Sequence, residues 1–352
     1  MSESAQSLIL NLDDDSSDVP AAALETRHKE LSSLVGATNK CELSPRPIKT
    51  FSWDPCGIFS ENPRIQFALV ILNRELQLPF SVYSTLWANA VYKVAADGGA
   101  DRLYDLNKLQ FSTKTSTSTT ITTAAAASFL HLDCIVGDLD SLQPKSRAYW
   151  VKQKVPIIQD PDQNSTDFAK AVYHIRNRQG KNSKKPLDIV VLGDLSGRID
   201  HAMSLLHHLY TLQEQKEGEK EKRETGDHAG RLYLLSSEAI TFMLQAGIHE
   251  VIVRKKNQES NQSFNYKNDS NKSVVRIKKH VGIIPLKEPS IISTSGLEWD
   301  VSNWETKFGG QISTSNHTRS DVISIQTSKD IIITLDLEIL SPEERAEVLK
   351  ST

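Results

Sequence analysis

Four times between residues 94 and 206, an apolar run rich in β-branched residues ends in, or runs beside, a block of aspartates and glycines. The four are VAADGGADRLYD (94–105), CIVGDLDSL (134–142), QDPDQNSTDFAKAV (159–172) and VVLGDLSGRIDHAMSLL (190–206). Such runs read as buried strands, and the region just past the carboxyl end of a strand is where open α/β sheets bind ligands. Four such blocks converging on one sheet edge make a pocket rich in carboxylates and backbone amides. Cys and His clusters do not recur in it, so the chemistry expected there is magnesium-bound phosphate, not zinc or thiol chemistry.

The flanking segments carry the same alternation. IQFALVILN (65–73) reads as a fully buried strand, and FSVYSTLWANA (80–90) has helical spacing with Val82, Leu86 and Ala90 on one stripe. Strand and helix alternate from 65 to 213, which predicts a mostly parallel sheet with helices on its faces. Thr166 or Ser165 is placed to cap the helix that Asp167 opens, and Asp167 falls where the helix dipole favours an anion. In the last helix of the series Ile199, Met203, Leu206 and Tyr210 recur at three or four and are expected as its buried stripe. From Glu238 the texture changes to short β-branched runs separated by Gly, Pro, Asn and Lys, the pattern of an all-β sandwich or barrel. The expected division is therefore an α/β domain over 49–238 and a β domain over 239–352. Residues 1–48 read as a flexible tail, and the polar or low-complexity stretches 112–128, 213–230 and 255–273 read as surface insertions.

Composition removes several function classes. A net charge of −3 from 41 basic and 44 acidic residues leaves no basic excess, so a general nucleic-acid binder is not expected. Cys41, Cys56 and Cys134 are too few and too scattered for a disulfide framework or a Cys-x-x-Cys metal site. The short apolar stretch SLILNL is followed by DDD and lacks the flanks of a signal peptide, and no segment approaches the roughly 20 apolar residues of a membrane span. The expected setting is the cytosol, with the nucleus left open, and no membrane.

Asp138 and Asp140 lie two apart in a turn, so both carboxylates can reach one cation, and magnesium takes one or two carboxylates together with phosphate oxygens. Alone, that pair reads equally as a cap and a turn residue; three comparable loops beside it favour the metal. Asp97, Gly98 and Gly99 allow backbone N–H groups to approach a phosphate, although Asp-Gly is also an ordinary turn. Arg198 can pair with phosphate oxygens and Asp200 with a cationic or amino-bearing ligand, or the two can form a surface pair with each other. His201 and His208 are seven apart on a helix, too far to chelate one ion directly. Gly-x-Ser-x-Gly and Gly-Lys-Ser/Thr are both missing from the sequence, which excludes the usual serine hydrolase and the usual NTPase phosphate loop.

Taken in order, ADGGADRLYD, GDLDSL, DPDQNSTDFAKAV, LGDLSGRIDHA, SGLEWDVSN (295–303) and STSNH (313–317) resemble eukaryotic, fungal-like thiamine pyrophosphokinases, enzymes that move the diphosphate of ATP onto thiamine. The resemblance runs from about Gln66 to the C-terminus. It implies a homodimer of an α/β domain and a jelly-roll-like β-sandwich, with the active site at the subunit interface. It further implies that Asp138, Asp140 and Asp167 bind Mg2+ and serve catalysis, and that Asp97, Gly98, Gly99, Gly137, Thr166 and Arg198 line the ATP site. Gln163 and Asp200 are implied to contribute to thiamine binding from the α/β side. Trp299 is implied to stack on thiamine from the partner subunit beside Ser315 and Asn316, with Trp304 close enough to compete. Glu298 and Asp300 add negative charge around Trp299 that a cationic substrate would feel. A non-catalytic thiamine sensor, or a magnesium-dependent diphosphotransferase acting on another hydroxylated heterocycle, are the other readings.

Overall fold

The computed structural model describes residues 49–60, 65–115, 129–179, 186–193, 195–213, 230–254, 275–341 and 344. The chain opens with β1 (Thr50–Trp53) and a short 3-10 turn (Pro55–Phe59). It then alternates β2 (Phe67–Ile71), α1 (Phe80–Asn89), β3 (Tyr92–Ala96), α2 (Gly99–Thr115), β4 (Cys134–Gly137), α3 (Pro144–Lys152), β5 (Ile157–Gln159), α4 (Asp167–Gln179), β6 (Asp188–Leu192), α5 (Ile199–Gln213) and β7 (Leu232–Leu235). A run of strands follows: β8 (Ala239–Leu244), β9 (Gly247–Ile252), β10 (Val275–Ile284), β11 (Ser290–Ser295), β12 (Trp304–Thr306), β13 (Ser313–His317), β14 (Val322–Thr327) and β15 (Ile331–Ile339). The expected tail lies outside the described residues, as do most of the three expected insertions; α2 continues to Thr115, into the start of the first.

Six parallel strands, in the order β7-β6-β2-β3-β4-β5, form the α/β part. Successive residues of β2 face opposite sides, as the period of a strand requires. Phe67, Leu69 and Ile71 belong to the core that includes Val82 and Leu86 of α1, Leu103 of α2 and Trp150 of α3. Ala68 and Val70 belong to the core built with Phe168, Val172 and Ile175 of α4 and Leu205 and Leu209 of α5. A strand buried on both faces has no polar alternation, which is why it reads as a continuous apolar run.

The buried stripe of α5 differs from the expected one. Ala202, Leu205, Leu209 and Tyr210 are buried, whereas Ile199 is 74% exposed and Met203 44% exposed. Ala202, Leu205 and Leu209 recur at three and four as the expected set does, Tyr210 belongs to both, and the adjacent Leu205 and Leu206 satisfy either; contact with the core beneath α5 selects the observed set.

Beyond β7 the same sheet continues through antiparallel β8, β15, β10 and β13. A second sheet, ordered β1-β9-β14-β11-β12, shares a core with this extension. β1 precedes the α/β part in sequence yet pairs in parallel with β9, and Trp53 stacks on Phe242 of β8 at 4.7 Å between ring centroids. Its indole N–H reaches His249 Nδ1 at 3.0 Å, and burial lowers the His249 pKa to about 4. Among the described residues no helix is long and apolar enough to cross a membrane.

Candidate active site

The carboxyl ends of β3 and β4 bring three aspartates together. One carboxylate oxygen each from Asp97, Asp138 and Asp140 lies within 4.8 Å of the others. Backbone geometry aims them: Asp97 (φ 42°) and Leu139 (φ 69°) both occupy the left-handed region, a strain that non-glycine residues carry where surrounding structure fixes it. The turn at Leu139 folds Asp140 back so that its N–H donates to Asp138 Oδ1 at 3.2 Å. Asp97 is buried; its Oδ2 accepts from Ser141 N–H at 3.0 Å, and its Oδ1 is buried with no hydrogen-bond partner. A buried carboxylate with one orphaned oxygen, gathered with two further carboxylates, suits a hard cation that takes oxygen ligands. The cluster can hold a divalent metal.

The electrostatics agree with that reading. Burial pushes Asp97 up to about 6; the Ser141 N–H opposes this and the charges of Asp167, Asp138 and Asp140 add to it. Asp138 is held below the usual carboxylate range, chiefly by the Asp140 backbone N–H and further by the Gln163 amide and Lys170. Gln163 Nε2 donates to Asp138 Oδ2 at 3.3 Å.

Asp167, expected with Asp138 and Asp140, stands immediately behind them. Its Oδ1 accepts from Asp138 N–H at 3.3 Å and pairs with Lys170 Nζ at 3.3 Å. Lys170, which sequence reasoning missed, is buried and also lies 3.8 Å from Asp138 Oδ2. Its spacing of three from Asp167 on a helix was the available signal. Thr166 caps α4: Ala169 N–H donates to its Oγ1 at 3.2 Å, and the same hydroxyl lies 2.7 Å from His208 Nε2. Its hydroxyl is thus engaged between α4 and α5.

The glycines act through close approach. A Cβ on Gly99 would lie 2.1 Å from the Ile71 carbonyl oxygen, and one on Gly98 would lie 2.5 Å from Asn73 Nδ2. One on Gly137 would lie 2.7 Å from Asp97 Cβ and 3.1 Å from Asp167 Oδ1. Arg198 and Asp200 form an exposed pair at 2.7 Å. Asn73 and Arg74 after β2, and Arg102, whose Nε donates to Asn73 Oδ1 at 2.8 Å, were also missed; ILNRE carries no acidic or glycine block to mark it.

Trp299 belongs to a different part of the molecule. Its ring is 57% exposed and lines a groove of about 270 Å³ with Trp304, Val301, Ile312 and Asn316. Asn316, buried on β13, accepts from Trp299 N–H at 3.2 Å and donates to the Trp299 carbonyl at 2.9 Å. Ser315, in the left-handed region with φ 56°, is exposed beside it. Asp300 is consumed by Thr294 Oγ1 and by the N–H groups of Gly296 and Leu297, and Glu298 by His317 and Arg319. These two carboxylates therefore hold the loop in shape.

Two family models match the chain in this arrangement. "Thiamin pyrophosphokinase, catalytic domain" covers residues 83–219, and "Thiamin pyrophosphokinase, vitamin B1 binding domain" covers residues 266–332, together more than half of the chain. The chain belongs to the thiamine pyrophosphokinase family of enzymes. The first match contains the acidic cluster and the second contains the tryptophan groove. Among relatives, thiamine pyrophosphokinase 1 of Arabidopsis thaliana is 29% identical over 287 residues, 81% of this chain and 90% of the relative. Thiamine pyrophosphokinase of Saccharomyces cerevisiae is 26% identical over 76% of this chain and 85% of the relative. The crystal structure of yeast thiamin pyrophosphokinase shares the fold, with a TM-score of 0.61 and 23% identity over 83% of this chain and 93% of that one.

Proposed function

We propose that this protein transfers the diphosphate of ATP to the hydroxyl of thiamine, giving thiamine diphosphate and AMP, in a magnesium-dependent reaction. It does so as a homodimer whose active site is completed across the subunit interface. The observation that carries this reading is the distance, along one sheet, between the acidic cluster and the strand behind the tryptophan groove. β13, which anchors Trp299, lies at one edge, and β3 and β4 lie seven and eight strands away. At about 4.8 Å per strand that is roughly 35 Å, beyond the reach of a small molecule held at both ends. A second copy brings a groove to the acids.

Asp97, Asp138 and Asp140 would hold the cation, with Asp167 behind them. Magnesium bound there supplies charge neutralisation along the phosphate chain. The rest falls to the chain's own residues. Arg198 turns from Asp200 to the phosphate oxygens, and Gln163 and Asp200 face the vitamin. Trp299 lays its face on the thiazolium, a cation–π contact of roughly 0.5–2 kcal/mol, and Asn316 acts by fixing Trp299. The thiamine hydroxyl oxygen bonds to the β-phosphorus as the bond from that phosphorus to the α,β-bridging oxygen breaks. AMP leaves with the electron pair, and the hydroxyl proton is released. Positioning the two substrates in line is the main catalytic contribution. The setting in this reading is cytosolic or nuclear.

Incubation of the full chain with ATP, Mg2+ and thiamine tests the reading. AMP formed in step with thiamine diphosphate supports it. ADP would make the protein a simple kinase, and thiamine binding without nucleotide turnover would make it a sensor.

A further inference from the structure

The strand order contains one reversal. From β2 the chain proceeds through β3, β4 and β5 in one direction, then returns to the other side of β2 for β6 and β7. The carboxyl ends of β2 and β6 therefore flank the topological switch point, the crevice in which open α/β sheets bind ligands. The acidic cluster is not at this crevice. It sits on β3 and β4, to one side.

What does stand at the crevice is basic. Arg74 follows β2 and crosses toward the loop after β6: its Nη1 lies 3.6 Å from where a Cβ on Gly197 would be, next to Arg198 in the chain. Arg74 is half-buried, and among the described residues its guanidinium has neither hydrogen bond nor ion pair. Arg102 reaches the same loop through Asn73 Oδ1. A guanidinium presents a rigid fork of donors that matches phosphate oxygens, and a half-buried fork with none of its donors engaged among the described residues is suited to an anionic ligand. Basic groups at β2 and β6 and carboxylates at β3 and β4 are one to three strand spacings apart, about 5–15 Å. A polyphosphate with a cation at one end spans such an interval, with oxygens left over for the guanidiniums.

We propose that Arg74 is a phosphate-binding residue of the nucleotide site, closing with Arg198 on the ATP oxygens that the acid-bound cation leaves uncovered. The inference rests on ATP being the diphosphate donor. It adds a contact from a segment that precedes the matched catalytic region, which begins at residue 83.

Arg74→Ala and Arg74→Lys, each in the full chain, test it against the wild type. Three quantities are measured: ATP affinity by calorimetry with Mg2+, inhibition by adenosine as a phosphate-free competitor, and the KM for thiamine. Loss of charge-assisted hydrogen bonds predicts ATP binding weakened about 10- to 100-fold in Arg74→Ala and partly restored in Arg74→Lys. Adenosine inhibition and the thiamine KM stay at wild-type values. ATP affinity unchanged in Arg74→Ala overturns the proposal, and so does a parallel loss of ATP and adenosine affinity, which would mark a general distortion of the site. Wild-type protein that binds ATP but forms no AMP from ATP and thiamine strikes the donor reading while leaving the phosphate contact standing. Wild-type protein that does not bind ATP overturns both.

Discussion

Asn316 holds the Trp299 backbone on both sides of its Cα: its carboxamide oxygen accepts from the Trp299 N–H and its nitrogen donates to the Trp299 carbonyl. Asn316 is buried while Trp299 is exposed, its ring packed at 5.1 Å only against that of His317 among the described aromatic rings, so the contact fixes the backbone of a residue that still presents its indole to the groove. Ser315, held at positive φ, turns the strand so that Asn316 points inward.

This relationship separates two substitutions. Trp299→Ala removes the aromatic face and raises the thiamine KM about 2- to 30-fold, the equivalent of the cation–π contribution, with the ATP KM unchanged. Asn316→Leu leaves the ring but frees its backbone and strands two polar groups, costing about 1–3 kcal/mol of stability. It is expected to raise the thiamine KM as Trp299→Ala does and also to lower Tm, whereas Trp299→Ala, at an exposed residue, changes Tm less. Steady-state kinetics paired with thermal melts distinguish them.

Asp97 makes the metal-free protein sensitive to pH. Its pKa rises from an ordinary 3.8 to about 6 on folding, so between those values the folded state holds the proton that the unfolded state has lost. Stability contributed by this group therefore falls as pH rises from about 4 to 6 and stays low above that, by an amount on the order of 3 kcal/mol. Asp97→Asn has no such titration. The Tm of the variant minus that of the wild type, measured in EDTA, is expected to grow across this window and then level off. A constant difference from pH 4 to 7 would contradict the assignment.

Much of this was readable before any coordinates. The loops after β3, β4 and β6 announced themselves because aspartate and glycine recur together past successive apolar runs, where a single such pair would read as an ordinary turn. The loop after β2 did not, because Asn73 and Arg74 fall in a segment of ordinary polar composition and acquire meaning only when strand order places β2 beside β6. Lys170 was hidden for a related reason: a lysine on a helix reads as solvated until packing puts it beside Asp167 and Asp138. The mismatch in α5 arose from degenerate periodicity, since Ile199 and Ala202 begin equally good stripes and only the neighbouring core chooses. The parallel pairing of β1 with β9 joins strands about 200 residues apart, a contact that local pattern cannot encode.

Lys170→Met probes the charge balance behind the acidic cluster. Its ammonium pairs with Asp167 and lies near Asp138, so it offsets repulsion among the aspartates while the site holds no cation. Removing it leaves those carboxylates facing one another, which lowers the Tm of the metal-free protein and strengthens attraction for a divalent cation. The expected outcome is a lower Tm in EDTA together with a larger rise in Tm on adding Mg2+ than in the wild type. An equal Mg2+-induced rise in both proteins would count against the role.

Gly137 and Gly282 offer a final contrast. Neither has positive φ, so alanine at either position is acceptable to the backbone itself, and only the surroundings differ. At Gly282 an added Cβ meets nothing nearer than Thr334 Cβ at 3.9 Å, ordinary contact. At Gly137 it would lie 2.7 Å from Asp97 Cβ and 3.2 Å from Asp97 Cα, so the strained turn that carries Asp97 must move away from β4. Overpacking of this kind costs about 1–3 kcal/mol, and the displacement falls on a residue of the acidic cluster. Gly137→Ala is therefore expected to lose most of its activity and to show a reduced rise in Tm with Mg2+, while Gly282→Ala keeps both. Because catalysis depends on atoms held within a fraction of an ångström, the activity of Gly137→Ala should fall further than its modest loss of stability would account for. Activity measured well below the Tm of the variant separates the two effects.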